Sequence, residues 1–341
     1  EMSLAKISLQ QGGNIIPLHV NNAETQGLGV TNPSVLVVGE EILVNIRNVK
    51  YNLFHSIGAE HYMDEGGKYQ SKWGPMSYIH RDADRFLVTE NFLASYTADF
   101  KENYTRKIDT SKHDVEPKWL FHGLEDGRLA KWNDNLYLIG VRRDTNDNGI
   151  GRMEYSKLKI TEDKVLETER ISIQPPKGRE TDVEKNWMPV TDMPHYFMRW
   201  SNPTELVKVD LQKQKTNVAL DTGTWQQHYG QLRGSSQVVR WKDCWIAIVH
   251  DTNYWYFYDR GDANKDAFYM HKLVAWDNQW NLIHVSNPFK FLNGQVEFCC
   301  GADKLGDDLL VTMGFEDNAG FLLKVPESVI DWMLEDEGNT P

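Results

Sequence analysis

The side chains of this 341-residue chain best suited to chemistry are carboxylates set beside guanidinium groups in short polar signatures. Glu125-Asp126-Gly127-Arg128 places two acids next to an arginine, and Glu297 and the pair Glu316-Asp317 add carboxylates towards the C-terminal end. Such groups stabilise oxocarbenium-like charge, act as nucleophiles, or move protons as general acid or base. Alternation along a strand sends neighbouring side chains to opposite sides, so only one of Glu125 and Asp126 is expected to face a common site. The candidate catalytic residues are Asp126, Glu125, Glu297 and Asp317, against the plainer reading of an ion pair that pins a turn.

Cations form the second set. Arg142, Arg143, Lys185, Arg199, Arg233 and His250 stand at or near predicted strand ends. If they converge, they form a pocket that holds a phosphate or diphosphate and neutralises charge on a phosphate leaving group. A solvated surface explains any one of them, but explains their recurrence less well. Glu184-Lys185-Asn186-Trp187 sets an amide and an indole beside the lysine, and Trp187 or Tyr51 could stack on a sugar ring. For any single aromatic, core packing is the stronger expectation.

The elements that position these residues read as β-strands. Short apolar runs alternate with polar turns, as in Val35–Val38 with Ile42–Ile46, and Leu129–Trp132 with Leu136–Val141. Polar signatures precede such strands at Asn32-Pro33-Ser34, Glu125–Arg128, Glu184–Trp187, Arg233-Gly234-Ser235-Ser236 and Glu297-Phe298. Five signatures predict five blades around one axis, an all-β propeller. The first spacing is the longest and implies an insertion in blade one, which is read with a hairpin of Ser77–His80 and Phe86–Thr89. Glu90–Lys118 reads as a long connection with a short helix near Asn91–Phe100. Residues 1–30 read as an arm packed on the domain, 31–326 as the propeller, and 327–341 as a closing helix, Glu327–Leu334, and tail.

Composition narrows the function classes. Lys and Arg number 37 against 49 Asp and Glu, a net charge of −12 that disfavours a nucleic-acid backbone as partner. No apolar run approaches the roughly 20 residues that span a bilayer. The opening residues lack a basic segment followed by an apolar core, so no secretory signal is read there. Cys244, Cys299 and Cys300 show no CxxC spacing and suit neither a disulfide framework nor a zinc site, so the expected setting is a reducing cytoplasm.

Asp144–Gly149 begins like a calcium loop, but Tyr155 stands where a bidentate Glu is required, and a hairpin turn fits better. The acid-rich loops Asp144–Asn148 and Asp259–Asp266 could hold a divalent cation but lack a ligand pattern; no metal ligand is assigned. Arg260-Gly261-Asp262 and the sequon Asn103-Tyr104-Thr105 carry no assignment. No phosphate-binding GxxxxGK[ST], dinucleotide-binding GxGxxG, zinc-protease HExxH or hydrolase GxSxG motif occurs.

Taken in order, NPS, Arg47…Tyr51, EDGR, EKNW, RGSS with a strand ending in His250, and VEFCCGA followed by LLVTMGFEDNAG resemble the five-bladed propellers of glycoside hydrolase family 130. The likeness spans residues 30–325 and is greatest to related propeller domains described as glycosyltransferases. It implies a site in the central funnel, with Asp126 at the acid position of the family's Glu-Asp-Pro-Arg motif. It also implies Arg128, Lys185 and His250 in the anion-binding neighbourhood. Gly127 replaces the family's proline and Gly-Ser-Ser stands in a region richer in glycine and proline, departures that weigh against phosphorolysis.

The expected function is transfer of a glycosyl group from a phosphate-activated, nucleotide-type sugar donor to an acceptor hydroxyl on a glycan or other molecule. Arg47, Tyr51, Arg128, Arg142, Arg143, Lys185, Asn186, Trp187, Arg199, Arg233, His250 and Glu316 are the expected binding residues. The alternatives are a phosphorylase or hydrolase of mannoside-like oligosaccharides and a non-catalytic glycan-binding propeller. A hydroxylated base in DNA is an acceptor of the same chemical type, which the net charge does not support.

Overall fold

Strand pairs form where apolar runs flank a tight polar turn. The computed structural model describes residues 2–26, 29–55, 62–64, 67–68, 76–80, 86–259 and 262–335, with side chains described at 2–26, 29–51, 86–253 and 268–335. Val30–Val38 turns into Glu41–Val49, which pairs with Leu87–Tyr96 and through it with Glu102–Asp109, making blade one. Blade two is Leu124–Trp132, Asn135–Arg142, Arg152–Ile160 and Val165–Ser172. Blade three is Met188–Pro189, Tyr196–Ser201, Thr204–Asp210 and Lys215–Asp221. In blade four Arg233–Gly234 and Val239–Trp241 both pair with Cys244–Asp259, followed by Asp262–Trp276 and Leu282–Val285.

Blade five is closed by the other end of the chain. Glu297–Leu305, Asp308–Phe315 and Ala319–Val325 are completed by Asn14–Pro17, which pairs antiparallel with Ala319–Val325. The N-terminal segment thus does more than lie against the domain: it supplies an outer strand. Helix Leu4–Gln10 packs Leu4 and Ala5 into the layer between blades four and five, and helix Glu327–Glu335 adds Val329, Ile330 and Met333 to it.

Five apolar layers, one between each pair of adjacent blades, hold the ring together. Leu36, Leu43 and Leu93 meet Leu129 and Leu138 between blades one and two. Trp132, Tyr137 and Tyr155 meet Trp187 and Phe197 between blades two and three. Met188 and Met198 meet Val249 and Trp276 next, and Val239 and Ile248 meet Val311 and Leu323 after that. Val44 and Phe92 meet Leu310 and Leu322 between blades one and five, which closes the circle and leaves a central funnel. Each fully buried large apolar side chain in these layers contributes about 1.5–3 kcal/mol.

Two expectations for blade one are corrected. Asn91–Phe100 holds no helix: Leu87–Tyr96 is a strand with Phe92, Leu93 and Ala94 all buried, so it is apolar on both faces and shows no alternation to mark it as β. Met76–His80 pairs with Tyr51–His55 rather than with the segment after residue 86. That hairpin and a smaller one, Tyr62–Asp64 with Gly67–Lys68, belong to the insertion between the second and third strands of blade one, which accounts for the long first spacing. The loop 81–85, residues 260–261 and the tail 336–341 lie outside the described residues, as do all the side chains of the Asp259–Asp266 stretch.

Candidate active site

The funnel is formed by the first strands of the blades, and their local geometry decides which side chains enter it. In blades one and two these strands carry β-bulges, between Thr31 and Ser34 and between Glu125 and Arg128. Asn32 (φ 42°) and Asp126 (φ 49°) sit in the left-handed region there, as does Asn186 (φ 60°) just before the first strand of blade three. Asn and Asp tolerate that conformation better than other non-glycine residues. The bulge breaks the simple alternation, so Glu125 and Asp126 both line the funnel, where only one was expected. Gly127 suits the same turn: a Cβ there would lie 2.5 Å from Leu138 Cδ1.

The funnel holds a cavity of 630 Å³. On one side Arg47 Nη1 donates to Asp126 Oδ1 at 2.9 Å, its Nη2 lies 3.6 Å from Glu125 Oε2, and Asn32 Nδ2 donates to the same Asp126 oxygen at 2.8 Å. Burial alone would raise the Asp126 pKa, but Arg47, Arg128 and the Asn32 amide outweigh it and hold the carboxyl below its ordinary range. Glu125 goes the other way, because burial exceeds the pull of Arg47 and Asp126 repels its charge. Asp317 is pushed up to about 6 by burial despite Arg47, with Asp126 and Glu316 adding repulsion. The site therefore combines an ionised Asp126 with two carboxyls inclined to keep a proton.

Arg143, Lys185 and Arg233 also line the cavity. Lys185 projects into the open funnel and makes no hydrogen bond or ion pair to another described residue. Although its own surface is exposed there, the surrounding protein and the neighbouring guanidinium of Arg143 lower its pKa from the ordinary lysine value. A cation crowded by like charge is stabilised by an arriving anion. His250 lines the cavity as a neutral group: burial, His271 and Arg233 drive its pKa well down, and its Nδ1 lies 2.9 Å from Ser235 Oγ.

Other expected residues are occupied elsewhere. Arg128 is fully buried beneath the funnel floor, where its Nε donates to Ser235 O, its Nη1 to Asp126 O and its Nη2 to Asn186 Oδ1. It bolts blade two to blades three and four rather than meeting an anion in the cavity. Glu297 is also fully buried and accepts from the backbone N–H groups of Phe291, Leu292 and Gly294 at 2.7–2.8 Å, so it shapes a loop. Glu316 accepts from the Gln295 and Val296 N–H groups, and Arg142 pairs with Glu154 and Asp144 away from the funnel.

Trp187, expected to stack on a sugar, is 2% exposed and donates its indole N–H to Glu184 Oε2 at 2.8 Å. Arg199 lines the cavity but is held by Glu184 and Glu205 at 2.7–3.0 Å, and Tyr51 is buried with its hydroxyl 3.5 Å from Arg47. Among the lining residues not anticipated as part of the site are Asn32, Thr252, Trp200, Phe121, Tyr269 and Phe298. Asn32 carried a signal, since it opens the first polar signature; Trp200 carried none beyond its type.

Among the described residues no group of three His, Cys, Asp or Glu side chains is placed to hold a metal ion. In the Asp144–Asn148 loop, Asp144 is occupied by Arg142 and the Gly123 N–H, and Asn148 Oδ1 accepts from Ile150 N, the geometry of a turn. No helix among the described residues is long and apolar enough to cross a membrane.

No protein-family model matches the chain, and no curated protein is similar to it in sequence. Among solved structures it is similar to the β-1,2-mannobiose phosphorylase of Listeria innocua, with 13% identity, a TM-score of 0.53, and coverage of 94% of this chain and 99% of that one. A candidate glycoside hydrolase of Parabacteroides distasonis matches with 12% identity and a TM-score of 0.53 over 87% of each chain. A second, from Bacteroides ovatus, matches with 11% identity and the same TM-score over 91% of this chain and 89% of that one. The chain is a five-bladed β-propeller that shares its fold with these proteins.

Proposed function

We propose that this propeller is a carbohydrate-active enzyme that transfers a glycosyl group from a phosphate-activated donor to an acceptor hydroxyl in its central funnel. One observation carries the reading: a single cavity brings the ionised Asp126 together with Arg143, Lys185 and Arg233. The phosphate of the donor sits on the cations, which neutralise it as the bond from the anomeric carbon to the phosphate oxygen breaks. The acceptor oxygen forms the new bond to that carbon and its proton passes to Asp126, which is held ionised and so is open to accept it. Asn32 and Arg47 hold Asp126 in place, and Glu125 and Asp317, their pKa values raised by burial, line the same cavity.

A second reading, phosphorolysis or hydrolysis of an oligosaccharide, is favoured by Asp317, whose pKa of about 6 lets it give a proton to a leaving glycosidic oxygen, and by the fold likeness to a phosphorylase. The deciding experiment incubates the protein with a panel of sugar nucleotides and, separately, with β-mannosides with and without phosphate. Consumption of a sugar nucleotide supports transfer. Consumption of mannoside, in either phosphate condition, overturns it in favour of the second reading. Binding of glycans without turnover of any substrate leaves a glycan-binding propeller.

A further inference from the structure

Trp200 and Lys185 line the same funnel cavity. Trp200 is 47% exposed, and Val183, 51% exposed, lines the cavity too. The bulge between Met198 and Trp200 interrupts the strand register just before it. The Arg199 guanidinium lies over its ring, 5.5 Å from the centroid, and is itself fixed by Glu184 and Glu205. One part of the indole is thereby backed by an immobilised cation, while the rest of its surface remains open to the cavity.

We propose that Trp200 is the platform on which the base of a nucleoside diphosphate stacks while Lys185, Arg143 and Arg233 hold the diphosphate. The inference rests on the transferase reading above and names the part of the donor that reading leaves open. The indole of Trp200 and Lys185, which has no hydrogen-bond or ion-pair partner among the described residues, line one cavity, so a phosphate on Lys185 keeps its nucleoside within the space that the indole lines. The cavity falls in the range of sites that take ligands larger than one sugar ring. Base stacking on an aromatic side chain is tolerant of base identity, so purine and pyrimidine diphosphates both bind.

The test uses the full chain and calorimetric titration with UDP, GDP, inorganic pyrophosphate and a β-mannoside. Trp200→Ala weakens both nucleoside diphosphates roughly 5- to 150-fold and leaves pyrophosphate unchanged, whereas Trp200→Phe keeps most of the affinity. Lys185→Ala weakens UDP, GDP and pyrophosphate alike. Equal nucleotide affinity in the wild type and Trp200→Ala overturns the platform while leaving the phosphate site intact. Weaker binding of a mannoside in Trp200→Ala, with nucleotides unaffected, overturns it in favour of a sugar platform. If the wild type binds neither nucleotide nor pyrophosphate, the phosphate-donor reading fails and this inference falls with it.

Discussion

Replacement of Asp126 separates its chemistry from its structural work. Asp126 is the near partner of Arg47, a guanidinium only 5% exposed, and it occupies a left-handed backbone position at φ 49°. Asp126→Ala leaves Arg47 with Glu125 at 3.6 Å as its remaining close acid, and breaking a buried pair costs about 3–5 kcal/mol. Alanine in the left-handed region adds about 1 kcal/mol. Asp126→Asn keeps the oxygen that accepts from Arg47 and Asn32 and tolerates the same φ, so it loses only the charge assistance, about 1–2 kcal/mol. Asp126→Gly removes the backbone strain but not the unpaired cation, and falls between the two.

Urea unfolding of the four proteins at pH 7 should therefore rank them wild type, Asn, Gly, Ala in falling stability. Turnover should fall by about 10²–10⁴ in all three variants, because each lacks the ionised carboxylate. Near-normal turnover by Asp126→Asn would refute the catalytic role. An alanine variant as stable as the asparagine variant would refute the account of the buried pair and the left-handed turn.

Asp317 gives a pH signature of the opposite sign to that of Asp126. Its folded pKa of about 6 lies above the unfolded value, so the native state binds the extra proton between roughly pH 4 and 6 and loses stability as pH rises through that window. Asp317→Asn should stabilise by roughly 3 kcal/mol above pH 6 and by nothing below pH 4; a pH-independent difference in denaturant midpoint would contradict this. Gln237 joins the blades at the axis, its Nε2 donating to Val35 O and Leu129 O and its Oε1 accepting from Ala302 N. Gln237→Ala strands three buried backbone groups and should cost at least about 3 kcal/mol, which thermal or urea unfolding would register. Lys185→Ala should change stability by no more than about 0.5 kcal/mol, since the side chain makes no bond within the described fold, yet weaken phosphate binding. Retention of phosphate affinity would remove Lys185 from the anion site.

The β architecture was legible because strand pairing within a blade is local: apolar runs of strand length, separated by polar turns, mark each hairpin without reference to the rest of the chain. The recurring polar signatures were legible for the same reason, each standing at or near the start of a blade. From them Asp126, Lys185, Arg143 and Arg233 could be named as residues that converge, and the structure places them around one cavity. The Leu87–Tyr96 strand escaped because burial on both faces erases the alternation that would distinguish it from a short helix.

What the tertiary structure alone decided was which charges are spent on the fold. Arg128, Arg142, Arg199, Glu297 and Glu316 have the residue types of a site, but partners from distant or neighbouring segments already satisfy them. A one-dimensional reading cannot see that, because desolvation obliges a buried charge to find its partners in space rather than in sequence. The bulge that admits both Glu125 and Asp126, and the exposure of Trp200 while Trp187 is buried, depend in the same way on how five blades meet. Residue type and order determined the chemistry available to this chain; packing around the axis determined which side chains remain free to perform it.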